Sequence, residues 1–174
     1  LGRKTYTQVA FFNTSGGFGV AEAGWTPRTP SGGDSKLAIG GWAYFQSGWG
    51  AYLIGDYGLT RQISLFARVG TAQGGASRFG WSGTAGVWAN SVFYRGGSLG
   101  LGYFHLEHDQ DYRAVMAEEG TPVLPGERGL ELSYRAELWE GATVQPDLQY
   151  IVSPGGTEGA EDAIVAAVRF SVAL

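Results

Sequence analysis

Alternation with a period of two, in which the charges keep to one side, governs this sequence and restricts it to sheet structures. From Leu130 to Leu138 the apolar positions are Leu130, Leu132, Tyr134, Ala136 and Leu138, and between them stand Glu131, Ser133, Arg135 and Glu137. The next segment repeats the scheme, with Val144, Pro146, Leu148, Tyr150 and Val152 against Thr143, Gln145, Asp147 and Gln149. The last places Ile164, Ala166, Val168, Phe170, Val172 and Leu174 on one face, opposite Arg169 and Ser171. Upstream the pattern is noisier: Ile63, Leu65, Ala67 and Val69 oppose Gln62, Ser64 and Arg68, and Leu99, Leu101 and Tyr103 oppose Ser98, Gly100 and Gly102. Further strands are expected near Arg3–Phe12, Gly17–Trp25, Lys36–Phe45, Trp49–Tyr57 and Gly80–Val92. That makes about ten strands, with no helical period long enough to argue for a helix.

Alternation fits two architectures. A soluble sandwich or lipocalin-like barrel would bury the apolar face and wet the polar one. A transmembrane barrel would turn the apolar face to lipid and the polar face to its lumen. Apolar runs such as Ile164–Val168 fall far short of the ~20 residues that a membrane helix needs. Charged residues are 16 % of the chain, against roughly 25 % in soluble domains, and the strands lack Lys-rich polar faces. Trp25, Trp49, Tyr57, Trp81 and Trp139 fall near segment ends, as interfacial girdles do. Tight connections at Gly58-Leu59-Thr60 and Trp139-Glu140-Gly141 contrast with long ones at His108–Arg128 and Val152–Ala160. Short turns at one end and long loops at the other are the wiring of outer-membrane barrels. The long Thr26–Ser35 connection departs from that scheme. The apolar last residue, Leu174, also fits a barrel strand, and with no Met or leader ahead of Leu1-Gly2-Arg3-Lys4 we expect a longer chain. On the membrane reading an Arg on the lipid face would cost roughly 2–4 kcal/mol at the midplane. Glu131, Arg135, Glu137, Asp147 and Arg169 are therefore assigned to the lumen.

Other functions find little support. A net charge of −4 provides no basic stripe for nucleic acid, and the absence of cysteine excludes disulfides and thiolate metal sites. His105 and His108 could act as bases or, with Glu107 and Asp109, as metal ligands, but on a strand they point to opposite faces. Preceding a long loop, they are expected to be solvated. We recognise no nucleophile elbow, and Ser15–Gly19 is not followed by a helix, so it is no phosphate loop. No enzyme activity, metal or cofactor is expected.

The stretch Glu131–Gly156, ELSYRAELWEGATVQPDLQYIVSPGG, resembles the C-terminal hallmark of the carbohydrate-selective porins of the OprB type. Its most specific part is Gln145-Pro146-Asp147-Leu148-Gln149-Tyr150-Ile151, followed by Ser153-Pro154-Gly155-Gly156. Ala163-Ile164-Val165 and Arg169-Phe170 are also similar, as are Ser64–Gly70 and, more loosely, Lys36–Trp42 and Gly50–Leu53. The resemblance implies a Gram-negative outer-membrane porin passing small sugars or other hydrophilic solutes. The fold class expected is all-β: a transmembrane antiparallel barrel, of which residues 1–174 form the C-terminal part of a single sixteen-stranded domain incomplete at its N-terminus. A complete ten-stranded barrel would instead have a lumen nearly filled by side chains, suiting an anchor or an enzyme. Lumen-lining candidates for contact with sugar are Arg68, Glu131, Arg135, Glu137, Asp147, Gln149 and Arg169, with Asp56 and Glu22 in addition. Carboxylates and guanidinium groups can accept from and donate to hydroxyls. Outer-membrane lipid is the other partner expected. Porins often trimerise, but no residue here marks a subunit interface.

Overall fold

A computed structural model describes residues 4–13, 16–31, 33–74 and 78–173. Ten strands follow one another: β1 Lys4–Phe12, β2 Phe18–Thr26, β3 Ser35–Tyr44, β4 Gly48–Gly58, β5 Ile63–Gln73, β6 Phe79–Asn90, β7 Gly97–His108, β8 Gly126–Trp139, β9 Ala142–Val152 and β10 Ala163–Val172. They form one antiparallel meander in which each strand pairs with its neighbours in sequence. Every strand expected from the alternation is present. Among the described residues the ladder is not closed, because β1 and β10 each pair on one edge only.

Pairing register sorts the side chains onto two faces, since directly opposed residues share a side. One face carries Val9, Ile39, Leu53, Val69, Leu101, Leu132, Leu148 and Val168. No other described element packs against it. Leu132 is 45 % exposed and Ile39 61 %, and the only buried apolar residues among those described are Ala38 and Ala142. A sandwich or lipocalin would hide this face in a core; here the buried residues belong mostly to the other side. Ser133 is 4 % exposed and Glu22 8 %. Side chains crowd one another on the inside of a curve, so the sheet bends around its polar face.

The girdle aromatics all lie on the apolar face at strand ends. Trp49 and Trp81 mark one end, and Trp25, Tyr57 and Trp139 the other. A bulge between Glu137 and Trp139 returns Trp139 to the apolar side, opposite Ala142. Trp49 and Tyr57 are about 27 Å apart along β4 at ~3.4 Å per residue, or about 20 Å in height at a tilt of about 40°. That matches the apolar band of an outer-membrane barrel, ~25 Å tall.

The β8–β9 hairpin needs only Glu140 and Gly141, and Gly141 has φ +83°, a conformation that residues with a Cβ rarely adopt. Residues 109–125 and 153–162 are long connections at the opposite end. The first corrects the sequence reading, because it contains helix α1, Gln110–Glu118, started by the Asp109 carboxylate accepting from the amides of Asp111 and Tyr112. His108 corrects it as well: it is buried, not solvated. Its Nδ1 pairs with the Leu124 carbonyl at 3.0 Å, and its ring stacks on Phe79 at 5.3 Å. Gly156 lies against the same ring, where a Cβ would come within 2.3 Å of the imidazole. The Ser-Pro-Gly-Gly segment thus passes over His108 and ties the two long loops together, with the Leu124 amide donating to the Gly156 carbonyl at 2.6 Å.

Candidate functional site: the polar wall

The polar face is built strand by strand from the even or odd positions that the apolar rows leave over. Arg68, Glu131, Arg135, Glu137, Asp147, Gln149 and Arg169 all fall on it, and so do Glu22 and Asp56. Three small networks hold some of them. Glu131 and Gln149 face each other across β8 and β9, with Gln149 Nε2 donating to Glu131 Oε2 at 2.8 Å. Gln145 Nε2 donates to Ser133 Oγ at 2.7 Å and to Asp147 Oδ1 at 3.1 Å. Arg68 Nη2 lies 3.4 Å from Asp56 Oδ1, with its guanidinium 5.3 Å from the centre of the Phe66 ring.

Arg135, Glu137 and Arg169 are not drawn into these networks. Their side chains make no hydrogen bond or ion pair among the described residues, and Arg135 and Glu137 border an open recess together with Arg95, Ser98 and Thr143. Two guanidinium groups and a carboxylate are therefore left for solvent or solute.

The densest cluster surrounds Glu22, whose carboxylate accepts from Tyr6 Oη at 2.5 Å, Tyr52 Oη at 2.9 Å, Lys36 Nζ at 3.4 Å and Gln8 Nε2 at 3.4 Å. Reading the sequence singled out Glu22 but none of its donors. They sit at every second position of β1, β3 and β4, a signal that becomes visible only once the register is known. Aromatic residues on this face were missed for the same reason. Phe18, Trp42 and Tyr44 pack together there, with Phe18 and Tyr44 centroids 4.6 Å apart.

The rival chemistries find no constellation. His105 lies on the apolar face beside Trp81 and Glu107, facing away from His108. No group of three potential metal ligands forms among the described residues. Gly96-Gly97-Ser98-Leu99-Gly100 does have the Gly-x-Ser-x-Gly spacing, which the sequence reading overlooked. It runs into strand β7 rather than a strand-to-helix turn, and Ser98 Oγ donates to Asn90 Oδ1 at 3.0 Å instead of to a histidine.

Comparison with known proteins agrees with this architecture. A solved structure of Pseudomonas putida OprB at high pH superposes with a TM-score of 0.77 at 19 % identity, covering 97 % of this chain and 55 % of that one. This chain therefore spans about half the length of the solved porin that it matches. No curated protein sequence matches it. The sequence profile of the carbohydrate-selective porins of the OprB family matches residues 14–174. With ten meandering strands, an apolar band between aromatic girdles and a charged inner wall, the chain belongs to the carbohydrate-selective porin family, OprB type.

Proposed function

We propose that the intact protein is a diffusion channel for small carbohydrates and other hydrophilic solutes in the outer membrane of a Gram-negative bacterium. The observation that carries this reading is the segregation of charge along the middles of the strands, with Glu107 and Arg128 on the apolar face near the long-loop end of β7 and β8. Glu131, Arg135, Asp147 and Arg169 share the inner face, while the opposite face exposes Leu, Val and aromatic side chains that no described residue covers. In water that arrangement would be unstable; in a bilayer it is the low-energy one. Acyl chains cover the apolar band, and the charged wall lines an aqueous lumen. Carboxylates and guanidinium groups there replace part of a sugar's hydration without holding it tightly, which is what passage requires.

The ten strands form an arc of a larger single barrel in this reading. The free edges of β1 and β10 support it, because each unpaired backbone group in hydrocarbon costs several kcal/mol. So does the greater length of the solved relative.

Liposome swelling with the intact protein tests the channel. Swelling in isotonic monosaccharide, slowing as the sugar grows, is the expected result. Vesicles that contain folded protein yet swell no faster than protein-free vesicles would leave an anchor as the better account.

A further inference from the structure

One hollow in the polar wall has a construction that the channel reading does not require. Across β5 to β9 one row of the register reads Phe66, Gly86, Gly102, Glu131, Gln149. Trp88 and Gly100 lie in the row on one side of it, Phe104 and Gly129 in the row on the other. Each ring stands directly opposite a glycine: Phe66 opposite Gly86, Trp88 opposite Gly100, Phe104 opposite Gly129. A Cβ on those glycines would come within 2.5, 2.3 and 2.6 Å of the respective ring carbons, so each ring leans over bare backbone.

Gly102, in the middle, differs from them. A Cβ there would sit 3.5 Å from Phe66 Cζ and 4.0 Å from the Ala85 carbonyl oxygen, at ordinary contact distances. Phe66 touches this floor at its edge, and no described ring lies over it. The result is a hollow of about 230 Å³ between Phe66, Trp88 and Phe104, with Glu131, Ser133 and Gln145 on its other side. Its polar side is rich in acceptors. Glu131 uses one carboxylate oxygen for Gln149, and its second has no partner among the described residues. The amide nitrogen of Gln145 is taken by Ser133 and Asp147, and its carbonyl oxygen has no partner among the described residues. Trp88 is held in place by its Nε1, which donates to Asn90 Oδ1 at 3.1 Å.

Aromatic surface on one side and acceptors on the other match a cyclic sugar, which offers an apolar C–H face and a rim of hydroxyl donors. The carboxylates of Glu131 and Asp147 disfavour acidic or phosphorylated sugars. We propose that this hollow is a stacking subsite for one neutral pyranose ring on the channel wall, with the C–H face against the aromatic rings and the hydroxyls donating to Glu131 and Gln145. The inference rests on the channel reading above and adds a place where solute pauses.

The test is ion current through the intact protein in planar bilayers, titrated with D-glucose and with D-glucitol. Glucitol carries hydroxyls but has no ring to stack. The expected result is a saturable current reduction with glucose and none with glucitol. Gly102→Leu fills the hollow and raises the half-effect concentration of glucose about fivefold or more. Glu131→Gln, of the same shape, shifts it in the same direction and decides the matter should the leucine variant fail to fold. Val87→Ala, on the lipid side, leaves it unchanged. Equal effects of glucose and glucitol, or an unchanged titration in folded Gly102→Leu or Glu131→Gln protein, overturn the subsite alone. Such a protein would still swell liposomes, whereas absence of swelling removes the channel itself.

Discussion

A carboxylate that is only 8 % exposed on a wall facing water must be satisfied by its neighbours, and Glu22 takes hydrogen bonds from Tyr6, Tyr52, Lys36 and Gln8. Those donors come from β1, β3 and β4, so the carboxylate on β2 pins four consecutive strands together from the inside. Removing it strands two phenols and an ammonium group against the wall. Lumen water re-solvates part of that loss, and Lys36 is 34 % exposed, so its ion pair contributes little. Glu22→Ala should therefore cost about 2 kcal/mol, mostly from charge-assisted hydrogen bonds, read from urea unfolding in lipid vesicles. Glu22→Gln, which can still accept from one phenol, should cost less. An unchanged midpoint in Glu22→Ala would mean that the cluster does not brace the sheet. At this scale the sequence revealed the residues whose charge or amide marks the polar side of a clean alternation, such as Asp147, Gln149 and Arg169. Gly102, Phe66 and Trp88 carry no such mark, because a glycine opposite a ring is a fact of pairing register, which one strand read alone does not contain.

Strands were legible as elements because lipid on one side and water on the other impose the same period on each. Helix α1 was not. Its nine residues bury none of their side chains, so no apolar stripe of period 3.6 was needed, and the only local signal was Asp109 as N-cap. The same two-sided logic makes a prediction about β8. Leu132 sits mid-strand, 45 % exposed, with Glu131 and Ser133 pointing the other way. On a soluble sheet, changing such a residue to arginine would alter stability by less than about 0.5 kcal/mol. Facing acyl chains near the midplane, Leu132→Arg should cost about 2–4 kcal/mol, as measured by unfolding from vesicles. These 174 residues contain no cysteine, so a single cysteine placed here, with any cysteine elsewhere in the intact protein replaced, reports on the same point. Glu131→Cys should react with a charged, membrane-impermeant maleimide and Leu132→Cys should resist it. Reaction at both would assign water to both faces and remove the membrane reading of this strand.

For the whole molecule, strand number sets lumen width, and lumen width decides whether the wall can pass a sugar. With strands ~4.8 Å apart and tilted about 40°, ten of them close at a diameter of about 20 Å and sixteen at about 32 Å, measured between backbones. Side chains from opposite walls fill most of the narrower cylinder, and the hollow beside Gly102 would then face other side chains rather than water. The two cases differ most at the sheet's free edges. In a closed ten-stranded barrel β1 and β10 would be neighbours, their backbones about 5 Å apart. In a sixteen-stranded barrel they stand nine strands apart on nearly opposite walls, about 30 Å from each other. Gln8 on β1 and Ala167 on β10 both lie on the polar face near mid-strand, so spin labels at these positions in the intact protein would measure that span directly across the lumen. Pulsed electron double resonance should return a distance above about 25 Å, allowing for label length and the stagger between strands. A distance near 10–15 Å would mean that these strands close on one another, and a wall so narrow could anchor a protein in the membrane but could not conduct glucose.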